Sequence, residues 1–186
     1  EGDTGARAYM NLGRGLFRVQ ASEADPPSLL TWNSGPLEAD LDVVGPIELK
    51  LDAISTAPDT AFIAVLQDVD ETGNAVDVTA GYLRAALRAV DEAASKLGAP
   101  SLPCDRFDAV PVGETVSYRI PLVPIARRFK KGHRLRLVLT SDDQDRTKPA
   151  PLLFRHASIG TSSINTVLSS SRIYLPILPP QVSVTR

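Results

Sequence analysis

Hydrophobic and polar residues alternate along several short segments of this chain. In "PIELKLDAIS" (46–55), every second residue from Ile47 to Ala53 is apolar, and the residues between them are charged. In "HRLRLVLTS" (133–141), leucines recur at every second position between polar or β-branched residues. Such alternation is typical of antiparallel strands with one face packed in a core and the other in water. The sequence therefore predicts two-faced strands in both segments.

Further apolar runs of strand length are separated by turn residues along the whole chain. Fifteen prolines and twelve glycines divide the runs at about the spacing expected of an all-β sandwich. A chain of 186 residues with 43% hydrophobic composition is long enough for one domain with a sizeable core. We predict a lead-in segment over residues 1–28 and a single β-sandwich domain over residues 29–186.

One segment departs from the strand pattern. In "YLRAALRAVDEAASKLG" (82–98), apolar residues recur at helical spacing from Leu83 to Leu97, and Gly98 follows as a typical helix stop. The spacing predicts a helix over about 85–97. The proline-containing stretch that follows has no usable period, so we predict a surface loop over about 98–113.

The stretch "DVDETGNAVDVT" (68–79) resembles a calcium-binding loop at its start. A calcium loop of this type needs a bidentate glutamate at its twelfth position and flanking helices. The twelfth residue here is Thr79, and both flanks have the pattern of strands. We therefore interpret "DETGN" as the connection of a hairpin, with Gly73 or Asn74 supplying the positive φ of the turn.

Charge and composition narrow the set of partners. Twenty basic and twenty-two acidic residues give a net charge of -2, so no overall field attracts nucleic acid or anionic lipid. The basic run "RRFKKGHRLR" (127–136) contains one aromatic residue, whereas a nucleic-acid groove combines such charge with several stacking aromatics. We interpret this run as a charged hairpin end that keeps a sheet edge soluble.

Apolar runs and cysteine content bear on where the protein is located and on whether it binds a metal or cofactor. No apolar run approaches the roughly 20 residues that span a bilayer, and the start "EGDTGARAYM" lacks the apolar block of a signal peptide. A single cysteine, Cys104, excludes an internal disulfide and a cysteine-based zinc site. We expect a soluble protein without metal or cofactor, with the cytoplasm favoured over secretion.

A complete catalytic site is not found among the motifs. The GxSxG signature of a serine hydrolase is absent, and the serines of "GTSSI" (160–164) and "SSS" (169–171) are typical turn formers. The two histidines, His133 and His156, have no nucleophile or orienting carboxylate placed by the sequence, and two isolated histidines make a poor metal site. The chain alone is therefore predicted to be inactive.

Several short sequence motifs occur in an order that matches the pattern of a known protein family. They are "SGPLEADLDVVGP", "STAPDTAF", "DVDETGNA", "GYLRA", "KGHRLRL" and "SRIYLPIL", and they extend from about Leu29 to Leu178. In this order they resemble the C-terminal domain of the X-Pro dipeptidyl-peptidase and cocaine esterase family of serine hydrolases. The resemblance implies a jelly-roll β-sandwich, similar to galactose-binding domains, that packs beside an α/β-hydrolase domain carrying the catalytic triad.

The resemblance also implies roles for particular residues. The segment "GRGLF" occupies the family's lead-in position, which makes Leu16 and Phe17 candidates for the rim of the acyl pocket. Asp59 and Arg84 match family positions and are candidates for interdomain docking. Ala61 replaces the acidic residue of the usual "DTDF", and the 89–107 insertion is longer than the family's usual connection.

Two rival functions use other features of the same chain. A free-standing carbohydrate-binding or adhesion module could use the same sandwich, because fold does not fix function. Such a module needs an aromatic platform, for which the chain offers Trp32 and four tyrosines. A nucleic-acid binder based on residues 127–136 ranks last. If the catalytic domain were missing, the bare docking face would favour self-association.

Overall fold

The structure is a computed structural model and describes residues 7–11, 29–141 and 162–179. Nearly all regular structure in these residues is antiparallel β-strand. The strands are β1 (Arg7–Asn11), β2 (Leu29–Asn33), β3 (Leu41–Ser55), β4 (Ala61–Val69), β5 (Ala75–Arg84), β6 (Asp91–Lys96), β7 (Ala99–Ser101), β8 (Thr115–Phe129), β9 (Arg134–Thr140), β10 (Ser163–Val167) and β11 (Arg172–Tyr174). The prediction of an all-β sandwich is confirmed.

Nine strands form one curled sheet in the order β1-β10-β3-β8-β5-β4-β9-β2, and β11 pairs with β3. The sheet folds over between β8 and β5 into two layers, with β1, β10, β3, β11 and β8 in one and β5, β4, β9 and β2 in the other. Among the described residues, β8 and β5 are paired only at Gly81 and Leu122. A Cβ atom at Gly81 would lie 2.4 Å from the carbonyl oxygen of Pro121, so this close approach requires glycine. At the other end, Nη1 of Arg7 donates to the carbonyl oxygen of Thr31 at 2.8 Å, which brings β1 beside β2.

The alternating segments place their apolar sides in the core between the two layers. Ile47, Leu49, Leu51 and Ala53 of β3 are at most 2% exposed, which confirms the face predicted from the sequence. The ring of Phe62 on β4 packs against that of Tyr118 on β8, with 4.7 Å between the centroids. Burial of these apolar groups is the main source of stability for such a sandwich.

The hairpin predicted at "DETGN" is confirmed. Strands β4 and β5 pair from Val69 and Ala75 onward, and Gly73 has a φ of 88°. The carboxylate of Asp70 accepts hydrogen bonds from the backbone N–H groups of Thr72 and Asn74 and from the Thr72 hydroxyl. These bonds hold the pKa of Asp70 below its ordinary value. The polar groups that suggested a calcium loop are therefore occupied in building the turn.

The helix predicted over about 85–97 is wrong. Only Ala85–Leu87 forms a short 3-10 helix, and Asp91–Lys96 forms β6, which pairs with β7 in a small hairpin. Gly98, with a φ of 77°, lies in the turn of this hairpin instead of ending a helix. The loop predicted over about 98–113 is also shifted, because β7 occupies its start and residues 102–114 contain no regular element.

The small hairpin is fastened to the outer face of the large sheet by charged groups. Glu48 on β3 points outward but is only 3% exposed, and it binds Nε and Nη2 of Arg119 on β8 at 2.6 and 3.1 Å. The backbone N–H of Gly98 donates to Glu48 at 3.1 Å, and Arg119 also binds Glu92 on β6 at 2.7 Å. The hairpin therefore covers a charged position that alternation alone assigns to water.

Candidate interdomain surface

Hydrogen bonds of Asp59, which lies just before β4, connect the start of β4 with the end of β5. Its Oδ1 atom accepts hydrogen bonds from the backbone N–H groups of Thr60 at 3.0 Å and Ala86 at 3.1 Å. Its Oδ2 atom accepts from Nε of Arg84 at 2.7 Å. The residue is 6% exposed, so its carboxylate is directed into the domain. The sequence-predicted residues Asp59 and Arg84 are thus brought together, with Asp59 holding Arg84.

Arg84 is only half buried by this contact. Its side chain is 48% exposed, and its guanidinium lies over the ring of Phe107 at 5.1 Å from the centroid. The Phe107 residue is itself 58% exposed. An arginine stacked on an aromatic face gains a cation–π attraction while its outer edge still faces water. We call the group Asp59, Arg84 and Phe107 the Arg84 surface.

Phe107 lies in residues 102–114, which have no regular element but are tied down by hydrogen bonds. The N–H of Val110 donates to the carbonyl of Pro58, and the N–H of Asp108 donates to the carbonyl of Ala86, both at 2.8 Å. Nη1 of Arg88 donates to the carbonyl of Asp108. The sequence gives no signal for Phe107, because its neighbours show no period and its position depends on these contacts with distant residues.

A second charged group surrounds Asp68 on β4. Its carboxylate accepts from Nη2 of Arg127 at 2.8 Å and lies 2.7 Å from Nδ1 of His133. Sequence analysis found no orienting carboxylate for His133, and the structure supplies one from 65 residues away. Within the described residues no serine hydroxyl is bonded to the His133 ring, so the pair lacks the nucleophile of a triad.

The pH dependence of stability should depend in part on Asp68. Burial would raise its pKa, but the hydrogen bonds from Arg127 and His133 outweigh burial and lower the pKa below its ordinary value of 3.8. The carboxylate therefore stabilises the fold above that value, and this contribution is lost as the pH falls through the folded-state pKa. The Asp68→Asn variant should be less stable than the parent at neutral pH, and the difference should shrink in acid.

Urea unfolding at a series of pH values measures this difference. Asp77→Asn is a suitable control, because it alters an exposed carboxylate whose recorded partner is the neutral side chain of Gln67. The control should lose less than about 0.5 kcal/mol at neutral pH. A stability difference for Asp68→Asn that stays constant from neutral pH into acid would contradict the expectation.

The basic run at residues 127–136 forms the end of β8, a turn and the start of β9. Three of its six arginines and lysines have acidic partners within the domain: Arg127 with Asp68, Arg128 with Asp42, and Lys130 with Asp40. This arrangement agrees with a charged hairpin end. Carboxylates therefore neutralise half of these charges, while Arg134 and Arg136 donate to the neutral oxygens of Ser34 and Asn33.

A cleft of about 650 Å³ lies between the two layers. Its lining includes the guanidinium of Arg7, which lies 5.3 Å over the ring of Trp32, and a leucine-rich wall: Leu49, Leu51, Leu66, Leu135, Leu137 and Leu139. The predicted pocket-rim residues Leu16 and Phe17 lie outside the described residues, so their role stays a prediction. His156 is also outside them. No helix within the described ranges is long and apolar enough to cross a membrane.

Comparison with known proteins agrees with this β-sandwich. A CocE/NonD family hydrolase from Staphylococcus aureus superposes with a TM-score of 0.75 at 19% identity, over 94% of this chain and 33% of that chain. An alpha-amino acid ester hydrolase gives a TM-score of 0.63 at 19% identity, over 82% of this chain and 26% of that chain. Likenesses at this level of identity establish the fold.

The family is established by sequence. Residues 6–152 match the X-Pro dipeptidyl-peptidase C-terminal non-catalytic domain, and the chain belongs to this family. A protein named as a candidate serine esterase in Mycobacterium bovis is 30% identical over 167 residues. The match covers 85% of this chain and 25% of that protein, and the Mycobacterium tuberculosis counterpart gives the same values. The chain thus spans about a quarter of the length of these relatives.

Proposed function

We propose that this chain is the accessory domain of a longer serine hydrolase of the ester or X-Pro peptide class. It packs on an α/β-hydrolase catalytic domain of the same chain and helps to wall the substrate pocket. The observation that carries the proposal is the match of residues 6–152 to a domain described as C-terminal and non-catalytic. The relatives are three to four times longer than the matched part, which leaves room for a catalytic domain.

The accessory role assigns different tasks to different residues. Leu16 and Phe17 are proposed to contribute apolar contacts at the rim of the pocket. Arg84 is proposed to contact the catalytic domain, and Asp59 acts through Arg84 by holding its guanidinium in place. The catalytic serine, histidine and aspartate would belong to the rest of the protein. When the catalytic domain is absent, the bare docking face is proposed to self-associate. A cytoplasmic location is a further part of the proposal.

Two measurements test the accessory role. The gene upstream of the codon for Glu1 should encode a long open frame with a GxSxG motif followed by the aspartate and histidine of a triad. The full protein should hydrolyse aryl esters or X-Pro anilides and lose this activity with a serine-directed inhibitor, whereas the chain alone should show no turnover. Inhibitor-sensitive turnover by the chain alone, or a gene without a catalytic domain, would refute the proposal.

A further inference from the structure

Arg84 has an unused hydrogen-bonding edge. The guanidinium carries five N–H donors, and only Nε is engaged, by Asp59. Within the described part of the chain, Nη1 and Nη2 of Arg84 donate no hydrogen bond. Ala61, the residue directly opposite Arg84 on β4, carries no charge that could bind this edge. Among the described residues, the guanidinium is therefore bonded on the Nε side only.

Another arginine in the same domain shows how such an edge is used. Arg119 binds Glu48 through Nε and Nη2 and, at the same time, binds Glu92 through Nη1 at 2.7 Å. One planar guanidinium can thus serve two carboxylates, because its donors point in different directions. Arg84 has the first carboxylate, Asp59, but the described residues supply no second one.

The surroundings of the open edge favour an acidic protein partner. Arg88 follows four residues after Arg84 in the chain, and its side chain donates to backbone carbonyl oxygens and to no carboxylate among the described residues. Phe107 presents an exposed ring under the guanidinium, in a backbone segment fixed by hydrogen bonds. Arginine and aromatic residues, phenylalanine included, are enriched in protein interfaces relative to the rest of the surface. A small free anion would leave the exposed ring uncovered.

We propose that the Arg84 surface binds the carboxylate of an aspartate or glutamate on the catalytic domain of the same longer chain, with Phe107 covered by the same contact. This inference rests on the proposed accessory function and names the chemistry of its docking contact. The carboxylate accepts from the Nη groups of Arg84, while Asp59 keeps Nε. A buried contact of this kind fixes the orientation of the two domains, because a bidentate pair accepts few relative positions.

Zero-length cross-linking of the full protein tests the contact directly. In the Arg84→Lys variant, carbodiimide can couple the new amine to any carboxylate that it touches, and peptide mapping identifies the coupled residue. We expect a product that joins position 84 to an aspartate or glutamate upstream of Glu1. Arg128→Lys is the matched control, since Arg128 is 56% exposed and binds Asp42 within this chain. The control should couple only to residues of this chain.

A second measurement keeps Arg84 unchanged, in case the lysine variant does not fold. Phe107→Cys and Val76→Cys, each in a Cys104→Ser background, place thiols at sites with 58% and 49% exposure. Val76 is at the opposite end of β5 from Arg84. In the full protein, position 107 should react with a maleimide about tenfold more slowly than position 76, because an interface that excludes water also excludes the reagent.

The outcomes separate this inference from the accessory function. The amine at position 84 can also couple to Asp59, so the two measurements are read together. No coupling of position 84 to a residue upstream of Glu1, together with equal labelling at positions 107 and 76, would overturn the carboxylate contact while leaving the catalytic domain in place. A gene that encodes no catalytic domain would overturn the accessory function and the contact together. Coupling from position 84 to the catalytic domain with slow labelling at position 107 would support both.

Discussion

Replacing Glu48 by glutamine is expected to lower the free energy of unfolding by about 3 kcal/mol, because it leaves the charge of Arg119 without its buried partner. Glu48 is 3% exposed, and the Arg119 side chain is 21% exposed. The hydrogen bonds that Arg119 donates to Glu48 raise the pKa of Arg119. Without them the guanidinium still stays charged, because the ordinary pKa of arginine lies far above neutral pH. The same change weakens the tie between Glu48 and Gly98, so the β6–β7 hairpin should loosen as well. Urea unfolding and hydrogen exchange in residues 91–101 measure the two effects.

The chain contains a close control for this prediction. Asp42 and Arg128 form a two-bond pair across the same strands, β3 and β8, but their side chains are 30% and 56% exposed. Exposed pairs of this kind contribute about 0–1 kcal/mol, so Asp42→Asn should cost much less than Glu48→Gln. Equal losses in the two variants would show that the burial of Glu48 does not determine its contribution.

Replacing Asp59 by alanine should produce a loss of similar size for a different reason. The substitution removes the acceptor of two backbone N–H groups, Thr60 and Ala86, as well as the partner of Arg84. Buried donors without an acceptor cost about 1–3 kcal/mol each, so a total loss of about 3–4 kcal/mol is expected. Thermal unfolding followed by circular dichroism should show a single transition at a clearly lower temperature.

Asp108→Ala is the control for Asp59→Ala. Asp108 also pairs with an arginine, Arg106, at 2.7 Å, but the two side chains are 39% and 68% exposed. Its carboxylate takes part in no buried backbone contact that the structure records, and its removal should cost less than about 1 kcal/mol. If Asp59→Ala were as mild as the control, the junction between β4 and β5 would not depend on the carboxylate.

The strand faces could be predicted because the local pattern and the tertiary structure agree. In β3 the period of two and the buried side coincide from Ile47 to Ala53. The "DETGN" turn was also predictable, since the carboxylate of Asp70 accepts hydrogen bonds from backbone N–H groups no more than four residues away. A local sequence pattern is sufficient for prediction where the hydrogen bonds of a turn or strand are made by residues close in the sequence.

The predicted helix failed because contacts with distant residues outweighed a helical spacing. Leu83 is buried in β5, whereas Leu97, at the end of the same apolar series, is 82% exposed. A helix would need both on one packed face. Instead Glu48 fixes the N–H of Gly98, and Asp91 binds the N–H groups of Ala93 and Ala94 at the start of the hairpin. The contacts with Glu48 on β3 therefore stabilise the insertion as a hairpin more than its helix propensity would stabilise a helix.

The candidate surface was predicted in part. Asp59 and Arg84 were identified from their family positions, and the structure joins them in one ion pair. Phe107 and the carboxylate of Asp68 were missed, because their contacts connect residues that are far apart in the sequence: Phe107 with Arg84, and Asp68 with His133. A linear pattern contains no signal for such pairs. Their discovery required the folded arrangement.

The position of β3 inside the sheet, between β10 and β8, also affects how the chain folds. Glu48 on β3 binds Arg119 on β8, 71 residues further along the chain, and Asp52 binds Ser170, 118 residues further along. Sheets closed by such distant pairs fold in about milliseconds to seconds, more slowly than folds with local contacts. On the ribosome β3 emerges early, and both of its edges stay unpaired until β8 and then β10 and β11 have been made. A growing chain therefore leaves one edge of this interior strand open to pairing with other chains until β10 and β11 have been made.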